Sequence, residues 1–161
     1  MLFRSNRHYI DRLRLRKYAP TGGILPFMFT DANPAISWAI VDYWRVPKRV
    51  YFDMQTAFRP QYIFCVIAQA RVACGDAVTL PISVVNDAQH DVASTIEIQL
   101  RAPDGSQVAH NHMQRTLPRD CMAMYVDELR ITPTQRGKYV LTLRLTTAHD
   151  AMQHQYNIEV W

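Results

Sequence analysis

The sequence predicts a mostly β protein: an immunoglobulin-like β-sandwich preceded by a short αβα segment. Three observations carry this. The hydrophobic period changes to two at Pro60 and stays there to the end of the chain. Seven short alternating segments follow, with turn residues between them. Before Pro60 the pattern is two helical stripes flanking one continuous apolar run. Residues 1–59 and 60–161 are therefore expected to be separate units. The second, at about 100 residues, is the right size for a sandwich that folds alone.

The first helix is expected to end near Tyr18, where Pro20 and Gly22-Gly23 stop it. Leu2, Phe3, Tyr9, Ile10 and Leu13 fall within about a third of its circumference. Six basic residues lie in the first 18, against the single acid Asp11, and most of the arginines lie outside that arc. A basic arm of this kind suits either a phosphate backbone or a solvated helix face. Aromatics are not interleaved as a nucleic-acid platform requires, so the solvated face is the reading and no nucleic-acid partner is expected.

Ile24-Leu25-Pro26-Phe27-Met28-Phe29 suits a strand buried on both faces, although Pro26 removes a ladder donor. Thr30 to Pro34 is loop chemistry. A second helix is expected from about Pro47, with Val50, Tyr51, Met54, Ala57 and Phe58 on one stripe. One strand and two helices cannot complete a core.

Beyond Pro60 the strand candidates are Tyr62–Ala68, Ala77–Val85, Ala93–Leu100, Gln107–Arg115, Met122–Leu129, Lys138–Thr146 and Gln153–Val160. Gly75-Asp76, Asn86-Asp87, Pro103-Asp104-Gly105, Pro118-Arg119-Asp120, Arg136-Gly137 and His149-Asp150 punctuate them. The Cys–Trp–Cys signature of antibody domains is absent, so the likeness is architectural.

The composition is ordinary for a globular protein, with 48% hydrophobic and 20% charged residues and a net charge of +4. No run approaches the roughly 18 apolar residues of a membrane span, and no signal-peptide apolar region follows Met1. The chain is compatible with the cytoplasm, and its localisation stays open. Cys65, Cys74 and Cys121 show no CxxC spacing, so neither a disulfide framework nor a zinc site is expected, and Cys65 reads as a small buried hydrophobe. His110 and His112 share one side of a strand but lack a third ligand; they read as solvent-facing residues of an edge strand. No phosphate loop, nucleophile elbow or cofactor motif occurs, and no cofactor is expected.

The stretch from Gly22 to Pro60 resembles the end of the catalytic barrel in family 2 glycoside hydrolases, the group of β-galactosidases, β-mannosidases and exo-β-glucosaminidases. Gly23, Asp31, Ser37, Trp38, Val41, Asp42, Tyr43, Pro47, Lys48 and Tyr51 stand at matching offsets. Ala57 to Pro60 resembles the exit into a C-terminal sandwich, most like the β-mannosidase and glucosaminidase branch. The resemblance implies that 1–59 is the last αβα segment of a TIM barrel. It also implies that the parent acts on β-linked sugars and that Phe27, Asp31 and Trp38 are substrate-binding. Phe27 stands where the family has a Trp, and Met28 and Thr30 stand for its Gln and Asn. For Asp31 the alternative is loop capping; for Trp38, packing under the loop. Asp42 reads as orienting the segment before the last helix.

Retaining glycoside hydrolysis needs two carboxyl groups about 5–5.5 Å apart. The resemblance puts both on barrel strands that would precede residue 1. Glu97, Glu128 and Glu159 are the only glutamates, and all lie in the sandwich. No catalytic residue is assigned. The implied partners are the remaining barrel region and, through it, carbohydrate. The competing reading is a free-standing sandwich that binds carbohydrate or protein.

Overall fold

The computed structural model describes residues 2–35, 37–68 and 71–161. The chain divides into two compact units, Met1–Arg59 and Pro60–Trp161.

Unit 2 is a sandwich of two sheets, and the chain is mostly β. Its strands are β1 (Gln61–Cys65), β2 (Arg71–Val72), β3 (Val78–Asn86), β4 (Val92–Arg101), β5 (Gln107–Leu117), β6 (Cys121–Ile131), β7 (Gly137–Thr147) and β8 (Ala151–Val160). One sheet has the order β1-β3-β6, the other β2-β8-β7-β4-β5. All pairings are antiparallel except β2 with β8.

The period-two pattern is what makes the larger sheet two-sided. Ile96, Ile98 and Leu100 of β4 stand opposite Leu145, Leu143 and Leu141 of β7, and all six are buried. Glu97, Gln99 and Arg101 point the other way, as alternation requires. From the smaller sheet, Tyr62, Phe64, Leu80, Ile82 and Val84 are equally buried. Each such aliphatic side chain contributes on the order of 1.5–3 kcal/mol by leaving water. Tyr62 of β1 stacks on His154 of β8 with ring centroids 5.4 Å apart. The Cys65 N–H also donates to the Tyr156 hydroxyl at 3.2 Å. These contacts join the two sheets.

Pro81 interrupts β3, the central strand of its sheet. It is tolerated because β1 pairs only with Ile82–Asn86, so Pro81 lies past the end of that neighbour. Asn86, fully buried, ties the end of β3 to two loops. Its Nδ2 donates to the carbonyls of His90, Leu117 and Pro118, at 3.0, 3.3 and 3.0 Å. Its Oδ1 accepts from Gln61 Nε2 and the Ala88 N–H, both at 3.0 Å.

Unit 1 contains α1 (Leu2–Leu15) and α2 (Arg49–Ala57). The side chains of Leu2 and Phe3, counted in the expected apolar arc, lie outside the described residues. Ile10 is buried, whereas Tyr9 and Leu13 are exposed. The solvated-face reading of the arginines needs one correction. Arg14 is buried and donates from Nη1 to the carbonyls of Ala57, at 2.6 Å, and Arg59, at 2.9 Å. A guanidinium there serves the orphan carbonyls at the negative end of α2. Asp11 is buried as well.

Three further expectations are corrected. α1 stops at Leu15, three residues early, in a turn where the Arg16 N–H bonds Leu13 O. α2 starts at Arg49 because Pro47 is drawn into a bridge with Val41 and the Lys48 N–H into a bond with Ile40 O. The run Ile24–Phe29 forms no strand. Only its end is held: Phe29 O accepts from Val41 N–H, and Asp31 N–H donates to Val41 O. Among the described residues of this unit there is no sheet to join. Pro26 lacks a donor, and Met28 takes a left-handed φ of 60°. Leu25 is 95% exposed. One apolar cluster of the unit gathers Ile40, Val41 and Val50, with Tyr51 and Met54 against them, and Ile10, Ala39 and Ala57 are buried as well.

Candidate functional site

The sequence points to Phe27, Asp31 and Trp38, all in the connection between the two helices. Phe27 is 76% exposed and Trp38 71% exposed, whereas Asp31 is only 4% exposed. Both oxygens of Asp31 are engaged. Oδ1 accepts from the Ser37 hydroxyl, and Oδ2 lies 2.7 Å from Lys48 Nζ. Lys48 also donates to Ser37 O at 3.4 Å, and Ser37 Oγ accepts from the Ala39 N–H at 3.2 Å. One carboxylate thus gathers the end of the apolar run, the loop bearing Trp38 and the start of α2. The Lys48 hydrogen bond, then that from Ser37, holds the Asp31 carboxyl below the ordinary carboxylate value. It is anionic at neutral pH and unsuited to donating a proton.

Asp42 closes the next turn. Its Oδ1 accepts from the Val46 N–H at 2.8 Å, its own N–H donates to Val46 O, and Arg45 is left-handed between them. Tyr43 and Trp44, edge to face at 5.6 Å, project from this turn into solvent. Lys48 and Ser37 were legible only as members of the Gly22–Pro60 pattern; nothing local in the sequence marks them as partners of Asp31.

Each glutamate is matched with a cation. Glu97 lies 3.1 Å from His110 and 3.8 Å from Arg144, Glu128 lies 2.5 Å from Arg130, and Glu159 lies 3.3 Å from Arg71. They sit on three different strands, β4, β6 and β8. His110 and His112 are exposed on β5, at the edge of its sheet. Among the described residues no three His, Cys, Asp or Glu side chains are grouped to hold a metal ion.

No family model matches the sequence, and no curated protein sequence does. Solved structures do match. The β-D-mannosidase of Dictyoglomus thermophilum aligns with 98% of this chain at a TM-score of 0.79 and 19% identity. In fold, the chain is similar to a part of that glycosidase. It spans only 18% of that mannosidase. Two weaker likenesses cover less of the chain. The CARDB domain of a Pyrococcus furiosus protein aligns with 63% of the chain and 85% of its own length (13% identity, TM-score 0.46). A family 2 β-glucuronidase aligns with 62% of the chain and 11% of its own length (14% identity, TM-score 0.41).

Proposed function

We propose that this chain is the C-terminal part of a glycoside hydrolase acting on β-linked sugars, with a structural and accessory role and no catalysis of its own. The likeness to the mannosidase runs through both units, covering 98% of the chain, and that observation carries the reading. In it, residues 1–59 are the last αβα segment of a (β/α)8 barrel and 60–161 the sandwich behind it. In this reading the exposed apolar run Ile24–Phe29 becomes a barrel strand only when the rest of the barrel supplies its neighbours.

The proposed site follows from the geometry at the end of that run. Strand ends at the C-terminal face of a barrel carry its chemistry, and the loop after the run presents Trp38 to solvent. Phe27 and Trp38 offer apolar ring faces to a sugar. Asp31 is a positioning residue, holding the Trp38 loop through Ser37 and Lys48. The two carboxyl groups of a retaining mechanism belong to the rest of the barrel.

Reconstitution tests this. The chain alone, assayed against aryl β-mannosides, β-glucosaminides and β-galactosides, is expected to give blank rates. Co-expression with the reading frame encoded directly upstream is expected to yield a complex that hydrolyses one of them. Turnover by the repurified chain alone would contradict the non-catalytic role. An inactive pair, or an upstream frame without βα units, would contradict the barrel reading.

A further inference from the structure

The outer face of the five-stranded sheet is not a plain solvated surface. It holds a shallow depression of about 580 Å³, floored by β4, β7 and β8 and walled by the turn from Ala102 to Gly105. That wall is braced. Pro103 sits so close to Gly137 that a Cβ on the glycine would meet it at 3.0 Å. Asp104 accepts from the Ser106 side chain and N–H and, at 3.0 Å, from Gln135 Nε2. These bonds, led by Ser106, bring the Asp104 carboxyl down to about 2, so the brace is ionised across the physiological range.

The charge of the lining is one-sided: Arg101, Lys138 and Arg144 face a single carboxylate, Glu97, which already has His110 and Arg144 beside it. Between the cations lie Gln99, Thr142, Gln153 and Gln155, side chains that both donate and accept hydrogen bonds. None of the lining side chains is aromatic. A neutral sugar on an open sheet gains most from stacking on an aromatic face, which is lacking here. Binding must draw instead on charge, with the amides and hydroxyl serving ring hydroxyls.

We infer that this depression binds an acidic glycan, a polysaccharide chain bearing carboxylate or sulfate groups. Arg144 and Lys138 take the anionic groups, and Gln155 and Thr142 the hydroxyls between them. The inference goes beyond the hydrolase reading and rests on it for the choice of a glycan, although every residue used belongs to the sandwich.

Affinity electrophoresis of the full chain, in gels containing polygalacturonate, dextran sulfate, neutral β-mannan or polyglutamate, tests it. The expected result is retardation by one or both acidic glycans and little by β-mannan or polyglutamate. Carboxylate and sulfate are distinguished by which gel retards. Because the cations are exposed, 0.5 M salt is expected to abolish the effect in the unaltered protein. The pair Lys138→Glu and Arg144→Glu is expected to weaken binding at least about tenfold. Arg12→Gln on α1, with Arg16→Gln in the turn just after it, controls for the general basicity of the chain and is expected to leave binding unchanged. The inference is overturned if neither acidic glycan retards the protein or if polyglutamate retards it equally. It is also overturned if the α1 variant rather than the sandwich variant loses the interaction, or if neutral mannan binds best.

Discussion

Asp31 and Lys48 stand 17 positions apart, and the bond between their side chains closes the loop carrying Trp38 onto the start of α2. A carboxyl depressed in the folded state contributes stability above its unfolded pKa, and that contribution disappears as pH falls through the folded value. The loop is therefore expected to stay closed at neutral pH and to loosen only below about pH 4, where ordinary carboxyls have protonated. Following the Asp31 carboxyl carbon by NMR checks this. Its midpoint should lie below that of an unpaired aspartate and rise towards the ordinary value in Lys48→Met; an unchanged midpoint in that variant removes Lys48 as the cause. Asn86 supplies a second test at this scale. Asn86→Ala strands several buried carbonyl and N–H groups, and a loss of about 2–3 kcal/mol is expected in urea denaturation of the chain. Gly137 is a third. Its φ of 128° and the nearness of Pro103 mean that Gly137→Ala is expected to cost about 1–3 kcal/mol. A neutral result would show that the 102–105 turn yields easily.

At the level of elements, the sandwich was nearly all legible and the helical unit only partly. Seven strands were visible because alternation such as Tyr139, Leu141, Leu143, Leu145 sorts side chains onto two faces, and glycine, proline and aspartate mark the turns between. β2 escaped because two residues, Arg71 and Val72, show no period; only their parallel pairing with Glu159 and Val160 makes them a strand. The run Ile24–Phe29 was misread for a different reason. An apolar run reports that a segment is fit for burial between neighbours, not that the neighbours are present in the chain. The Asp31–Lys48 brace and the Arg14 cap on α2 join residues far apart in sequence, so neither leaves a local sign. Core and cap energies follow. Ile98→Ala, in the middle of β4, is expected to lose about 2–5 kcal/mol. Arg14→Ala is expected to increase amide exchange at the C-terminal turn of α2 while leaving β4 and β7 unaltered. Exchange at that turn in Arg14→Ala equal to that of the parent chain would contradict the cap.

As a whole, the molecule pairs a well-filled sandwich with a helical unit that keeps Leu25, Phe27, Phe29, Trp38, Trp44 and Phe52 exposed. In the proposed reading these side chains are covered by the rest of a barrel. The likeness to the mannosidase gives the fold of the chain. The most direct measurement is hydrogen exchange at the amides of Ile24, Leu25, Phe27, Met28 and Phe29, first in the isolated chain and then in the co-expressed complex. The account predicts rapid exchange alone and slowing by at least about a hundredfold in the complex, as the segment joins a buried ladder. Exchange in the isolated chain as slow as in β4 or β7, or no slowing in the complex, would contradict it.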